Sequence, residues 1–154
     1  MNTARESIDV FYMKMAYLMA ERSTCVRRKV GCVIVRDNIA LASGYNGAPS
    51  KIEHCTTDSC IRLKNNIPSG ESPNKCMGSH SEVNAIANAA KNGVNINEST
   101  IYCTTFPCIY CAKTMVNAGI KRIVVCEDYG NNEDDQLTME ILKNIQVDRI
   151  TKPE

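Results

Sequence analysis

Two short stretches, His80-Ser81-Glu82 and Pro107-Cys108-Ile109-Tyr110-Cys111, constrain this 154-residue chain more than any others. Together they offer an imidazole, a pair of thiols and a carboxylate, and a fold that uses them must bring both stretches to one point. Such a set suits a zinc ion with three protein ligands and an open fourth position, plus a base for the water filling it. If a helix starts near Pro107, Cys108 and Cys111 lie one turn apart and face the same way. Proline suits a first helical turn, where its missing N–H costs nothing. The positive end of that helix favours both thiolates. His80 supplies the third ligand from a second helix start, and Glu82 is placed to take a proton from the water and pass it on. A competing reading makes Ser79-His80-Ser81-Glu82 an S-x-x-E capping box, in which the glutamate only caps a helix. The Pro-Cys-x-x-Cys downstream favours the catalytic role, since a lone C-x-x-C would also suit structural zinc or a redox pair.

The length predicts one domain over 1–154, and a hydrophobic content of 44% is that of a globular protein. No apolar run approaches the ~20 residues of a membrane span, and the first six residues lack the apolar core of a secretory signal. Eighteen basic residues against 17 acidic ones leave a net charge of +1, which argues against a broad nucleic-acid groove. Nine cysteines without an export signal read as reduced thiols and metal ligands in a cytoplasmic protein.

Residues 3–22 read as a helix, with Thr3-Ala4-Arg5-Glu6 as its capping box and Ile8, Phe11, Met15, Leu18 and Met19 as its core face. The β-branched run 30–35 is a buried strand, and Asp37-Asn38 turns it into a second strand over about 39–45. From Asn46 to Gly78 the periodicity is lost, as in a long insertion. That insertion holds His54, Cys55, Cys60 and Cys76, with Cys25 as a further member if the fold brings it near; a second, structural zinc is one use for them. Beyond it come a helix over 80–92 (Val83, Ile86, Ala87 and Ala90 inward) and a strand over 100–104. A helix over 108–118 (Ala112, Met115 and Val116 inward) and a strand over 121–126 come next. A last helix opening at Asp134-Asp135 carries Leu137, Ile141, Leu142 and Ile145, and 147–150 adds an edge strand. Cys32, Cys103 and Cys126 read as core filler. This order argues a sheet covered by helices on both faces.

H-x-E followed by P-C-x-x-C is a pattern already defined for zinc deaminases. Over about Met13 to Tyr129 the chain resembles the zinc-dependent cytidine and deoxycytidylate deaminases, the dCMP branch most closely, late-competence bacterial members included. Beyond the zinc stretches, the resemblance rests on 22–31 (Arg-Ser-Thr-Cys-Val-Arg-Arg-Lys-Val-Gly), 44–49 (Gly-Tyr-Asn-Gly-Ala-Pro), 67–71 (Ile-Pro-Ser-Gly-Glu) and 80–86. It implies a three-layer α/β/α fold with a central mixed five-stranded sheet, and zinc at the starts of the second and third helices. It also implies hydrolysis of dCMP to dUMP and ammonia for thymidylate synthesis, activation by dCTP with Mg²⁺, inhibition by dTTP, and a homo-hexamer. By position His80, Cys108 and Cys111 match the zinc ligands, Glu82 the proton shuttle, and Arg27 and Arg28 the phosphate contacts. Asn46 matches a nucleotide-contacting asparagine and Tyr129 an aromatic lining the substrate. Ser81 stands where the family usually has alanine, a change that touches no ligand. Gly78 and Cys76 occupy the neighbourhood where some relatives keep histidines for a second metal, so no second zinc carries over by residue.

Read from the residues alone, Arg27-Arg28-Lys29 also fits a solvated basic run, Asn46 a turn asparagine and Tyr129 packing at a strand end. Rival activities are deamination of cytidine, dCTP or tRNA adenosine. A zinc-stapled nucleotide-binding regulator without turnover is the alternative from another class.

Overall fold

The computed structural model describes residues 5–129 and 132–154, and the side chains of all of these but 132–135. A strand as apolar as Gly31-Cys32-Val33-Ile34-Val35 needs cover on both faces, and β1 (Gly31–Arg36) has it. β2 (Ile39–Tyr45) returns antiparallel through Asp37 and Asn38, whose φ of 53° and 59° are those a two-residue hairpin turn demands. β3 (Thr100–Thr105) pairs antiparallel with the other edge of β1, and β4 (Arg122–Glu127) and β5 (Gln146–Arg149) follow in parallel. The result is a mixed five-stranded sheet of order β2-β1-β3-β4-β5.

Alternation along the strands divides the core in two. Val33, Val35, Tyr102 and Val124 face α1 (Ile8–Glu21). Cys32, Ile34, Ile101, Cys103, Ile123 and Val125 face the opposite layer. That layer holds α3 (Ser81–Lys91), α4 (Ile109–Asn117) and the helix α5 (Asn132–Ile141), with Leu142 just after it. The three-layer architecture expected from the order of elements is the one observed. The insertion carries a single-turn helix α2 (Ile61–Lys64) and a 3-10 turn, Pro73–Lys75. No helix among the described residues is long and apolar enough to cross a membrane.

The helices sit rotated from the faces that side-chain size suggests. α1 buries Tyr12, Met13, Ala16 and Ala20, while Ile8, Phe11 and Leu18 are exposed. It is capped by Ser7, whose hydroxyl accepts from the Val10 N–H; the Thr3 capping box lies outside the described residues. The rotation follows from Gly31: a Cβ there would lie 2.2 Å from the Ala16 carbonyl oxygen, so α1 packs backbone-close and only small residues fit the seam. α3 behaves alike over Gly44, burying Ser81, Glu82, Ala85 and Ala89 and leaving Ala87 and Ala90 exposed. On α4, Ala112 and Met115 point inward as expected, but Val116 is exposed, as is Leu137 on α5. Cys32 and Cys103 are core residues, whereas Cys126 is only half-buried.

Gly44 gives this packing a functional consequence. A Cβ at Gly44 would stand 2.3 Å from the Ser81 carbonyl oxygen and 2.5 Å from the Ala85 nitrogen, both backbone atoms of α3. Gly44→Ala is therefore expected to push α3 off the sheet and destabilise the protein by roughly 1–3 kcal/mol, the usual size of overpacking. Denaturant unfolding measures it, and an unchanged midpoint would mean the α3–β2 seam has slack.

Candidate active site

Both ligand-bearing stretches end as helix caps. His80 is the N-cap of α3, with extended backbone at φ −78° and ψ 153°, and Cys108 is the N-cap of α4 at φ −72° and ψ 166°. Neither helix start has a side-chain cap bond, so each presents free N–H groups and the positive end of its dipole. Pro107 precedes the cap and does not itself open the helix. Cys111, in the first turn of α4, comes round to the same side as Cys108.

The His80 Nδ1 lies 3.4 Å from each sulfur. Among the described residues this is the only group of three or more such ligand atoms within 4.8 Å of one another. A tetrahedral zinc with Zn–S near 2.3 Å and Zn–N near 2.0 Å spaces sulfur and nitrogen by about 3.5 Å, so the donors fit that ion as they stand. The hydrogen bond from Cys111 and the charge of His80 pull the Cys108 thiol down to about 4 against the cost of burial. Sharing with Cys108, then burial, pushes Cys111 well up. Contact with Cys108 raises His80, burial opposing it. The three groups thus share protons that a metal would displace.

Glu82 is almost fully buried, at 4% exposure, and burial raises its pKa although the His80 charge opposes the shift. The Ser81 hydroxyl donates to Glu82 Oε2 at 2.9 Å. As the second residue of α3, Glu82 does not close a capping box, because the cap is His80 and not Ser79. The small-residue seam against β2 is what turns Glu82 inward. A buried carboxyl with raised proton affinity beside a metal-ligand group is suited to general acid–base work.

His80, Ser81 and Glu82 line a cleft with about 830 Å³ of empty space, part of it open to solvent, and the two sulfurs stand behind them against His80. Arg27, Arg28, Asn46 and Tyr129 all line it. Arg27 Nη1 is buried without a hydrogen-bond partner among the described residues. Arg28 is already engaged: it donates to the Asp128 carbonyl at 2.9 Å, lies 3.6 Å from Glu127 and stands 5.9 Å from the Tyr129 ring centroid. Asn46 accepts from the Ser23 hydroxyl and the Val30 N–H and donates to the Arg28 carbonyl, so its side chain ties residues 23–30 into one wall. Tyr129 sits with its ring centroid 6.2 Å from that of His80, and burial pushes its phenol up to about 12.

Cys25, Cys55, Cys60 and Cys76 also gather on the cleft wall, and the other three reinforce the burial that raises Cys55. No three of them come within 4.8 Å, however, and His54 is exposed outside the lining. All nine cysteines are free thiols. Two cleft residues escaped the sequence reading. Ser81 orients the carboxylate, and Arg62 in the insertion is buried against the cleft. A serine beside a glutamate is a readable signal; a single arginine in an aperiodic segment is not.

Residues 6–127 match the family model described as the cytidine and deoxycytidylate deaminase zinc-binding region. The deoxycytidylate deaminase of Saccharomyces cerevisiae is 39% identical over 142 residues, covering 91% of this chain and 43% of the yeast protein. ComE operon protein 2 of Bacillus subtilis is 38% identical over 125 residues, covering 81% of this chain and 62% of that protein. This chain therefore spans less than two thirds of the length of either. Among solved structures, the dCMP deaminase of cyanophage S-TIM5 in complex with dCMP and dUMP superposes with a TM-score of 0.77 at 28% identity, over 96% of this chain and 99% of that one.

Proposed function

Because this chain belongs to the cytidine and deoxycytidylate deaminase family, we propose that it hydrolyses dCMP to dUMP and ammonia. The observation that carries the reading is the buried Glu82 carboxyl lining one cleft together with His80, whose Nδ1 forms a compact donor set with Cys108 and Cys111. His80, Cys108 and Cys111 would hold zinc, which when bound supplies Lewis acidity and lowers the pKa of a water. Glu82 accepts a proton from the attacking water and delivers it to ring nitrogen N3; it then takes the proton of the new C4 hydroxyl and gives it to the exocyclic amine, which leaves as ammonia. Water adds at C4, the C4–N bond breaks, and oxygen replaces nitrogen in the product. Ser81 holds the carboxylate in place through its hydroxyl. Burial excludes bulk water, so the proton stays with the reacting atoms.

Around the base, Tyr129 offers a ring to the substrate, Asn46 shapes the wall with one amide hydrogen to spare, and Arg27 and Arg28 are the candidates for the phosphate. Arg28→Ala is expected to raise KM for dCMP more than for deoxycytidine. Steady-state kinetics on both substrates decide it, and equal effects would mean that Arg28 only braces 127–129.

The proposal extends to one deaminase domain over 1–154 with an insertion at about 46–78, a cytoplasmic setting and a supply of dUMP for thymidylate synthesis. It also includes dCTP–Mg²⁺ activation, dTTP inhibition and a hexamer; the family resemblance supports these. Hydrolysis itself is tested in ¹⁸O-labelled water, where dUMP formed from dCMP is expected to carry the label at O4. Unlabelled dUMP, or none, would remove the hydrolytic mechanism.

A further inference from the structure

A buried polar atom without a partner is rare enough that each instance calls for a reason. Among the described residues five side-chain atoms are in this state. Four of them, Thr24 Oγ1, Arg27 Nη1, Arg62 Nε and Thr105 Oγ1, belong to residues lining the one cleft; the fifth, Ser99 Oγ, does not. Unspent hydrogen-bonding capacity is thus concentrated where a ligand would sit.

Arg62 is the most demanding of the four. It is 9% exposed, on the single turn of α2. Its Nη2 donates to the Pro68 and Glu71 carbonyls at 2.9 and 2.8 Å, which folds the Pro-Ser-Gly-Glu turn onto it. Those partners are neutral, and no carboxylate among the described residues forms an ion pair with the guanidinium. A charge removed from water without a counter-ion is unfavourable unless something anionic arrives. Arg62 lines the same cleft as His80, Glu82 and Tyr129, so its charge stands among the reacting groups. Arg28, by contrast, is committed to Asp128, Glu127 and Tyr129.

We propose that Arg62 recognises the 5′-phosphate of the nucleotide, giving its free Nε–H to a phosphate oxygen while Nη2 holds the 68–71 turn. The proposal rests on the reading of this cleft as a nucleotide site. A neutral cytosine ring has no use for a full buried charge, whereas a phosphate oxygen accepts a strong, charge-assisted hydrogen bond from a guanidinium N–H. Arg27 Nη1 is a second unspent donor in the cleft. The insertion thereby acts in specificity: the residue that reads the phosphate also fixes the turn whose Gly70 lies against Tyr129.

The test compares wild type, Arg62→Gln and Arg62→Lys. It measures kcat/KM on dCMP and on deoxycytidine, and calorimetric affinity for dUMP and for deoxyuridine. Arg62→Gln is expected to lose at least ~30-fold on dCMP and on dUMP, the range of a charged hydrogen bond, with nucleoside values changing less than ~3-fold. Arg62→Lys keeps the charge without the directed Nε–H and should lose about 3- to 10-fold on the nucleotides alone. Parallel losses on nucleotide and nucleoside in either variant would overturn the proposal and leave Arg62 as a clamp on the turn. If Arg62→Gln does not fold, Arg62→Lys decides by the same comparison. Wild type that neither deaminates dCMP nor prefers dUMP to deoxyuridine would instead refute the functional reading, and the Arg62 proposal with it. Wild type active on dCMP with non-selective variants would refute Arg62 alone.

Discussion

Glu82→Gln is expected to keep one equivalent of zinc per chain and to lose at least about 10²-fold in kcat, the scale of a positioned general acid–base group. The substitution preserves volume and hydrogen-bonding capacity next to Ser81, so the α3 start and its His80 ligand should stay in place. What it removes is the ability to carry a proton. Metal analysis and steady-state rates on the same preparation separate the two effects. Near-normal turnover would take Glu82 out of the mechanism, and loss of zinc would make it a structural support of the metal site.

Cys111→Ala should act through the metal. With one sulfur gone, His80 Nδ1 and Cys108 cannot hold zinc at three points, so zinc content is expected to fall well below one equivalent and activity by at least ~10³-fold. The melting temperature should drop too, because a ligand that binds only the folded state stabilises it. Chelation of the wild type should reproduce both losses, and added zinc should reverse them there but not in the variant. Full zinc occupancy in Cys111→Ala would mean that another residue completes the set.

What could be read from the sequence was chemistry with a fixed spacing. His80, Glu82, Cys108 and Cys111 were identifiable because such a donor-and-carboxylate set tolerates few residue types, and the structure gathers His80 with the two cysteines and sets His80 and Glu82 on one cleft. The β1–β2 hairpin and the helix-covered sheet were readable from the Asp37-Asn38 turn and the alternating elements that follow. The helix faces were not. Ile8, Phe11 and Leu18 form an apolar stripe, yet the close approach permitted by Gly31 selects Ala16 and Ala20 for the seam. Gly44 does the same for α3, and the rotation it permits carries Ser81 and Glu82 inward. A glycine in a strand signals close backbone approach, so Gly31 and Gly44 were the available clue. Asn46 looked like a turn residue or a substrate contact, and in the structure it ties a loop together through its own three hydrogen bonds. Arg62 had no readable signal, since its burial depends on how a 33-residue aperiodic insertion folds back on the cleft.

The most direct test of the central claim is ammonia release from dCMP, with deoxycytidine and dCTP as parallel substrates, before and after Mg–dCTP is added as effector. The account predicts turnover of dCMP in clear preference to both alternatives, rising when dCTP is added. Turnover of deoxycytidine without dCMP would contradict the nucleotide reading of the cleft, and silence on all three would contradict the assignment of these residues to dCMP deamination.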